Sequence, residues 1–237
     1  LGPLSIQNGS ATLLYMGDAN HTNLLSIVRG VFVTLENDGY TTPRSPSRAK
    51  VYQAAFAAPS FQYIQHILYQ LPTFPVHTSL VGGLFETIKS MHDKAGSIVD
   101  SLQSRHDYTL ARRQAVRIIE LIDGSQYART SGDLPASLPS LLTAPVGLIS
   151  SPSQVGYIDT LAAQIQQAIQ TAGDNANLRQ HAQNVNNALA DLRSWIQQLR
   201  TYDLQILTAA TVSASANTTV ALLLKQLTED VYTGRTI

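Results

Sequence analysis

Residues 178–206 read LRQHAQNVNNALADLRSWIQQLRTYDLQI. Within them Leu178, His181, Val185, Ala188, Leu192, Trp195, Leu199, Tyr202 and Ile206 recur at steps of three and four. That spacing keeps side chains on one face of a 3.6-residue helix. A pattern sustained this long predicts a bundle helix that presents a continuous strip to a core. Just upstream, Ile158, Leu161, Ile165 and Ile169 mark a second helix ending at Gly173, and Asp174 or Asn175 is placed to cap the long one. Downstream, Ala216 to Tyr232 predicts a final helix with Val220, Leu223, Leu224, Leu227 and Val231 inside.

The same period runs back to Ser60. Phe61, Ile64, Ile67, Leu68 and Leu71 share a face, and Pro72 stops the run. From about Ser79 a longer helix carries Leu84, Ile88, Met91, Ile98 and Leu102, with Gly82, Gly83 and Gly96 weakening its propensity. Asp107 is placed to cap the next, whose face is Leu110, Val116, Ile119 and Ile122, and Asp123-Gly124 ends it with glycine at the favoured position. Residues 124–154 read as a Pro/Ser-rich loop holding Pro135, Pro139, Pro145 and Pro152. Its Leu138, Leu141, Leu142, Val146, Leu148 and Ile149 predict that it packs on the bundle.

The first 59 residues have another grammar. Leu4-Ser5-Ile6 and Ala11 to Tyr15 flank Asn8-Gly9, a type I′ hairpin signal because both residues accept positive φ. Val31 to Leu35 reads as a strand ending at Asn37-Asp38-Gly39, and Lys50 to Phe56 as a weaker one, with the proline-punctuated loop Thr41 to Ser47 between them. A short helix fits between Asp18, its N-cap, and Arg29. The expected fold is therefore α+β: a small N-terminal antiparallel β-sheet over 1–59, then a predominantly helical antiparallel bundle of five or six helices over 60–237.

Composition narrows function by exclusion. The 237 residues are 44% apolar and only 14% charged, against about 25% charged in an average domain. Sixteen basic and sixteen acidic residues cancel. That balance speaks against a nucleic-acid binder or a polybasic membrane sensor, which need a field of one sign. The lack of cysteine removes disulfides, thiolate metal sites and thiol nucleophiles. Leu204 to Leu224, the most apolar candidate span, is broken by Thr208, Thr211, Ser213, Ser215 and Asn217, so no membrane insertion by this segment is expected. The start at Leu1 leads us to expect an upstream piece, an anchor among the possibilities.

Chemistry-bearing patterns are sparse. His21, His66, His77, His92, His106 and His181 form no H-x-x-x-H pair, and neither G-x-S-x-G, a Walker A loop nor G-x-G-x-x-G occurs. His92-Asp93 and His106-Asp107 are the material for a metal-assisted hydrolase. Asp18 and His21 with a hydroxyl offer an acid–base group, though helix capping explains Asp18 as well. Arg105, Arg112, Arg113 and Arg117, with Glu120 three residues on, read as surface ion pairing or an anion site. Gly82-Gly83 reads as a close helix contact. Tyr63, Tyr69 and Tyr157, among ten tyrosines, suit an interface or a pocket between sheet and bundle. Asn8-Gly9-Ser10, Asn20-His21-Thr22 and Asn217-Thr218-Thr219 match the N-glycosylation pattern. No catalytic, cofactor or metal-ligating residue is assigned, and no cofactor is expected.

The segments Leu1-Gly2-Pro3-Leu4, Gly17 to Leu25, Arg113 to Gly124 and Leu192 to Leu199 together resemble extracytoplasmic regions of bacterial membrane-anchored proteins. Among these are proteins whose opening β segment is similar to the ectodomain of anti-sigma factors. The resemblance implies an outward-facing domain after a membrane helix and transfers no catalytic residue. A sigma-binding helix bundle and a zinc motif are both missing from the sequence. The expected function is a non-enzymatic, extracytoplasmic interaction or sensory domain of a bacterial surface or membrane-anchored protein, partnered by another protein or by itself. The alternatives are a self-assembling surface or filament subunit, a small-molecule-binding domain and the metal-assisted hydrolase.

Overall fold

The computed structural model describes residues 4, 6–14, 23–35, 49–56, 58–139, 142–208 and 214–233. It is α+β as expected: among the described residues the strands lie in the N-terminal part and the rest is predominantly helical. The strands form two separate antiparallel ribbons. In the first, β1 (Ile6–Gln7) pairs with β2 (Ser10–Ala11) around Asn8 and Gly9, whose φ angles of 52° and 76° are those a type I′ turn requires. In the second, β3 (Gly30–Thr34) pairs with β4 (Lys50–Ala55). Between the ribbons lies α1 (Leu24–Ile27), capped by Asn23, whose side chain accepts from the Leu25 amide. The expected cap Asp18, the turn at Asn37-Asp38-Gly39 and the loop Thr41 to Ser47 lie outside the described residues.

The helical part opens with α2 (Ala58–Leu68), which ends a turn before Pro72. Then come α3 (Leu80–Asp100), α4 (Tyr108–Asp123), a short α5 (Ser125–Thr130), α6 (Tyr157–Gln170), α7 (Ala176–Thr208) and α8 (Ala214–Thr233). Ser79, Asp107 and Asn175 cap α3, α4 and α7 through their side chains; Asp107 is the cap the sequence predicts, and Asn175 is the one of the pair Asp174 or Asn175 that serves. Past Asp100, α3 loosens into a π-helical turn, Ser101–Arg105, and His106 at φ 53° reverses the chain into α4.

Helices α3, α4, α7 and α8 close a ring, in which α3 and α7 each pack against both α4 and α8. Cross-links fix their directions. Arg112 on α4 donates to the Leu207 carbonyl near the end of α7, and Asp123 at the end of α4 meets Arg200 further back on α7. Phe85 and His92 of α3 meet Tyr232 and Glu229 of α8 in reversed order. The result is an up-down-up-down four-helix bundle. Its core includes Leu80, Met91, Ile98, Ile118, Ile119, Ile122, Ile196, Leu199, Leu207 and Leu224, each fully buried.

Residues 124–154 are neither a free linker nor wholly a loop, since they contain α5. Their role is to splice two helix ends. The last carbonyls of α4 and the first amides of α6 lack intrahelical partners. The Leu148 and Ile149 amides donate to Leu121 and Ile122 carbonyls (3.0 and 3.1 Å), while the Tyr157 and Ile158 amides donate to Gly147 and Leu148 carbonyls (3.0 and 3.1 Å). Thus α4 and α6 stand end to end along α7, whose 33 residues span about 50 Å. Arg200 of α7 reaches Asp123 of α4, and Arg193, two turns earlier, reaches Asp159 of α6. Antiparallel to α6 runs α2, joined by His66 to Gln164 (2.7 Å) and Thr171 to Ser60 (3.2 Å).

Two expected faces are corrected. On α7 the core-facing line is Ala182, Leu189, Ile196 and Asp203, joined by Leu199, Ile206 and Leu207, whereas His181, Val185 and Ala188 point to solvent. A seven-residue spacing containing one alanine and one aspartate is poor in apolar signal, so the apolar pattern selects a neighbouring line in the N-terminal half of the helix. On α8 Leu223 is exposed, and Ala221 and Thr228 are inside with Leu224, Leu227 and Val231.

Candidate interaction surface

The β3–β4 ribbon stands apart from the core. Val31 pairs with Ala54, Phe32 with Gln53, and Val33 with Tyr52, after which Thr34 pairs with Lys50 across a register shift that leaves Val51 as an extra residue. Alternation therefore puts Val31 and Tyr52 on one face and Phe32 on the other. All are exposed: 44% for Val31 and Phe32, and 62% for Tyr52. Val51, Leu35 and Phe56 add further exposed apolar surface. Among the described residues, the only element either strand packs against is its partner strand. Each strand therefore keeps one edge unpaired within the ribbon.

The root of the ribbon is fixed. The Phe56 amide donates to the Arg29 carbonyl (3.0 Å), the Phe56 ring stacks on buried Phe61 of α2 at 4.4 Å, and the Arg29 guanidinium lies 5.3 Å from the Phe61 ring. The backbone approaches so closely at the base that a Cβ on Gly30 would lie 2.7 Å from the Ala54 carbonyl oxygen. Nearer the tip, Lys50 covers the Phe32 ring at 5.1 Å. A lone two-stranded ribbon is marginal in water, and exposed apolar side chains beside unpaired strand edges are a template for another chain.

The other sequence candidates are dispersed. His92 meets Glu229 and stacks on Tyr232, while His106 faces the Leu102 carbonyl at 3.1 Å and Asp107 caps α4. The two His-Asp pairs thus lie 14 residues apart, one within α3 and the other at the turn between its π-helical end and α4. His77 contacts Gln70, His181 is exposed, and Asp18 and His21 lie outside the described residues. Among the described residues no group of three His, Asp or Glu side chains is placed to hold a metal ion. Arg105 pairs with Asp100, Arg117 donates to Gln114 and Arg112 caps the end of α7, but Glu120 is fully buried instead of lying on the surface. Tyr63, Tyr69 and Tyr157 do not converge: Tyr63 is edge-on to His66, Tyr69 is exposed, and Tyr157 is buried against Phe74 and Gly83. Burial pushes the Tyr157 hydroxyl above its ordinary range. Asn8 sits in the exposed β1–β2 turn, while Asn20 and the side chain of Asn217 lie outside the description.

One cluster was invisible in the sequence. Asp123 accepts from Arg200 Nε and Nη2 at 2.8–2.9 Å, and Nη2 also donates to Asp133. Burial pushes the Asp123 carboxyl up, and the guanidinium pulls it partly back. Asp203, one turn beyond Arg200, is wholly buried, and among the described residues neither oxygen finds a donor. Burial, reinforced by the charge of Asp123, pushes it well above the carboxylate range.

Compared with known proteins, the chain matches no family model, no curated protein and no solved structure. Among the described residues no helix is long and apolar enough to cross a membrane.

Proposed function

We propose that this chain is a non-enzymatic interaction domain in which the helical bundle is a rigid stand and the β3–β4 ribbon is the docking element. The observation that carries the reading is the ribbon itself: apolar side chains exposed on both faces, outer strand edges that no other described strand pairs with, and a root clamped to α2. Its chemistry suits strand addition, in which main-chain hydrogen bonds give affinity and alternate side chains give selectivity. The partner is a protein. We place the domain outside the cytoplasm of a bacterium, as a surface or sensory part of a membrane-anchored protein. The likeness to anti-sigma-type ectodomains supports that placement. So do helix faces filled by Gln, Asn, Ser and Thr, which meet neighbours with little charge desolvation. Two strand edges left unpaired among the described residues also favour a second reading, self-assembly, because a copy of the same edge is a competent partner.

The test is a photo-crosslinking amino acid placed at Tyr52, with His181 as an exposed control on α7, in cells that express the protein. The expected result is a discrete adduct from position 52 and none from 181. Adducts of equal yield at both positions, or none at 52, refute the docking role. The mass of the adduct separates a foreign partner from a second copy, and protease digestion of intact cells tests the compartment.

A further inference from the structure

We propose that the bundle carries a proton-operated clasp: Asp203 stays neutral while Arg200 bridges Asp123 and Asp133, and loss of the Asp203 proton releases the segment around Asp133 from the bundle. Three facts of geometry support it. Asp203 lies in the core-facing line of α7 with no donor to either oxygen among the described residues, so an ionised form has nothing there to replace its water. Arg200 precedes it by three residues on the same helix face. The guanidinium is already engaged by two carboxylates, one from the end of α4 and one from the connecting segment.

Charge around the group is accounted for on each neighbouring element. From α7 comes Arg200, and from α4 come Asp123, the buried Glu120, and Arg112, which donates to Leu207 one turn beyond Asp203. The connecting segment supplies Asp133 through Arg200. On α6, Asp159 is engaged by Arg193, ten residues back along α7. On α8, Asp230 is held by Gln226, Glu229 by His92, and Lys225 is exposed. With Asp203 neutral, Asp123, Asp133 and Arg200 sum to one negative charge. With Asp203 ionised they sum to two, around one guanidinium. The arm that yields is Asp133, whose side chain is 36% exposed and can be taken up by water, whereas Asp123 is sealed. A folded-state carboxyl that holds its proton more tightly than the unfolded one stabilises the fold on the acid side, and the advantage is lost as pH rises.

The experiment uses the full chain. Its Tm is measured from pH 5 to pH 8 for wild type and for Asp203→Asn, whose amide keeps the size of the neutral acid. Amide exchange over residues 131–139, corrected for intrinsic rate, is followed in parallel. The wild type is expected to lose roughly 5–10 °C more than Asp203→Asn across this range. Exchange at 131–139 should rise with pH in the wild type alone. If the variant fails to fold, carboxyl-carbon NMR of the wild type decides, with Asp203 expected to titrate well above ordinary aspartates. Parallel Tm curves, unchanged exchange at 131–139, or an Asp203 that titrates with the surface carboxylates would each overturn the proposal.

Discussion

Gly83 of α3 lies against the ring of Tyr157, the first residue of α6, so closely that a Cβ at position 83 would sit 2.6 Å from Cε1 and 2.7 Å from the hydroxyl oxygen. Tyr157 is buried and braced edge-on by Phe74, so the ring has little room to retreat. Gly83→Ala should therefore destabilise by about 1–3 kcal/mol through overpacking, despite the better helix propensity of alanine. Gly96, on the same helix, has open space where its Cβ would go, and Gly96→Ala should stabilise by about 0.5–1 kcal/mol. Urea unfolding of the two variants checks the opposite signs.

The splice between α4 and α6 has its own weak points. A Cβ on Gly147 would fall 2.5 Å from backbone atoms of Ile122, Asp123 and Gly124, none of which can swing aside. Ser125 closes the same region, its hydroxyl donating to the Leu142 carbonyl and accepting from the Ala144 amide, both at 2.7 Å. Ser125→Ala should cost about 1–3 kcal/mol for the polar groups it strands. Gly147→Ala should cost more, because backbone must move and the four splice hydrogen bonds move with it. Hydrogen exchange at Leu148 and Ile149 is the direct readout, and protection there should fall in both variants.

What the sequence disclosed follows from which interactions are local. The I′ turn at Asn8-Gly9 and the caps Asp107 and Asn175 depend on a few adjacent residues, and each is where the pattern puts it. The close helix contact read at Gly82-Gly83 is found at Gly83, against Tyr157, while Gly82 meets only Ser79 of its own N-cap. The splice was not legible, because its hydrogen bonds are main-chain to main-chain and any residue type can make them. The Asp123–Arg200–Asp133 cluster was hidden by sequence separations of 77 and 67 residues, and Asp203 by an aspartate's ordinary preference for water. The ribbon strands could be read, but not that both faces would be left uncovered, which depends on where the helices are not.

The register of α7 gives a clean comparison along one helix. Val185 is 47% exposed, and Leu189, one turn on, is buried. Val185→Asp should change stability by no more than about 0.5 kcal/mol, as for an ordinary surface site. Leu189→Ala should cost about 2–5 kcal/mol by leaving a cavity. Were the strip through His181, Val185 and Ala188 the buried one, the order would reverse. Denaturant midpoints of the two variants decide between the alternatives.

Removing Arg200 tests the buried cluster at its centre, and the pH dependence carries the diagnosis. Arg200→Met keeps the stem and deletes the charge, leaving Asp123 sealed without its partner. At pH 8 it should cost about 3–5 kcal/mol, the range for breaking one side of a buried pair. Asp133→Asn removes only the exposed arm and should cost about 1 kcal/mol or less. Burial already raises Asp123, and losing the guanidinium raises it further. A folded-state value above the unfolded one means that the folded chain binds the extra proton, so stability is gained on acidification and lost as pH rises. The Arg200→Met defect should therefore shrink between pH 8 and pH 5, while the smaller Asp133→Asn defect should run the other way and fade toward pH 8, where ionised Asp203 has already released that arm. Urea midpoints for both variants at the two pH values measure this, and an Arg200→Met penalty independent of pH would mean that its lost packing, not the stranded carboxylate, dominates.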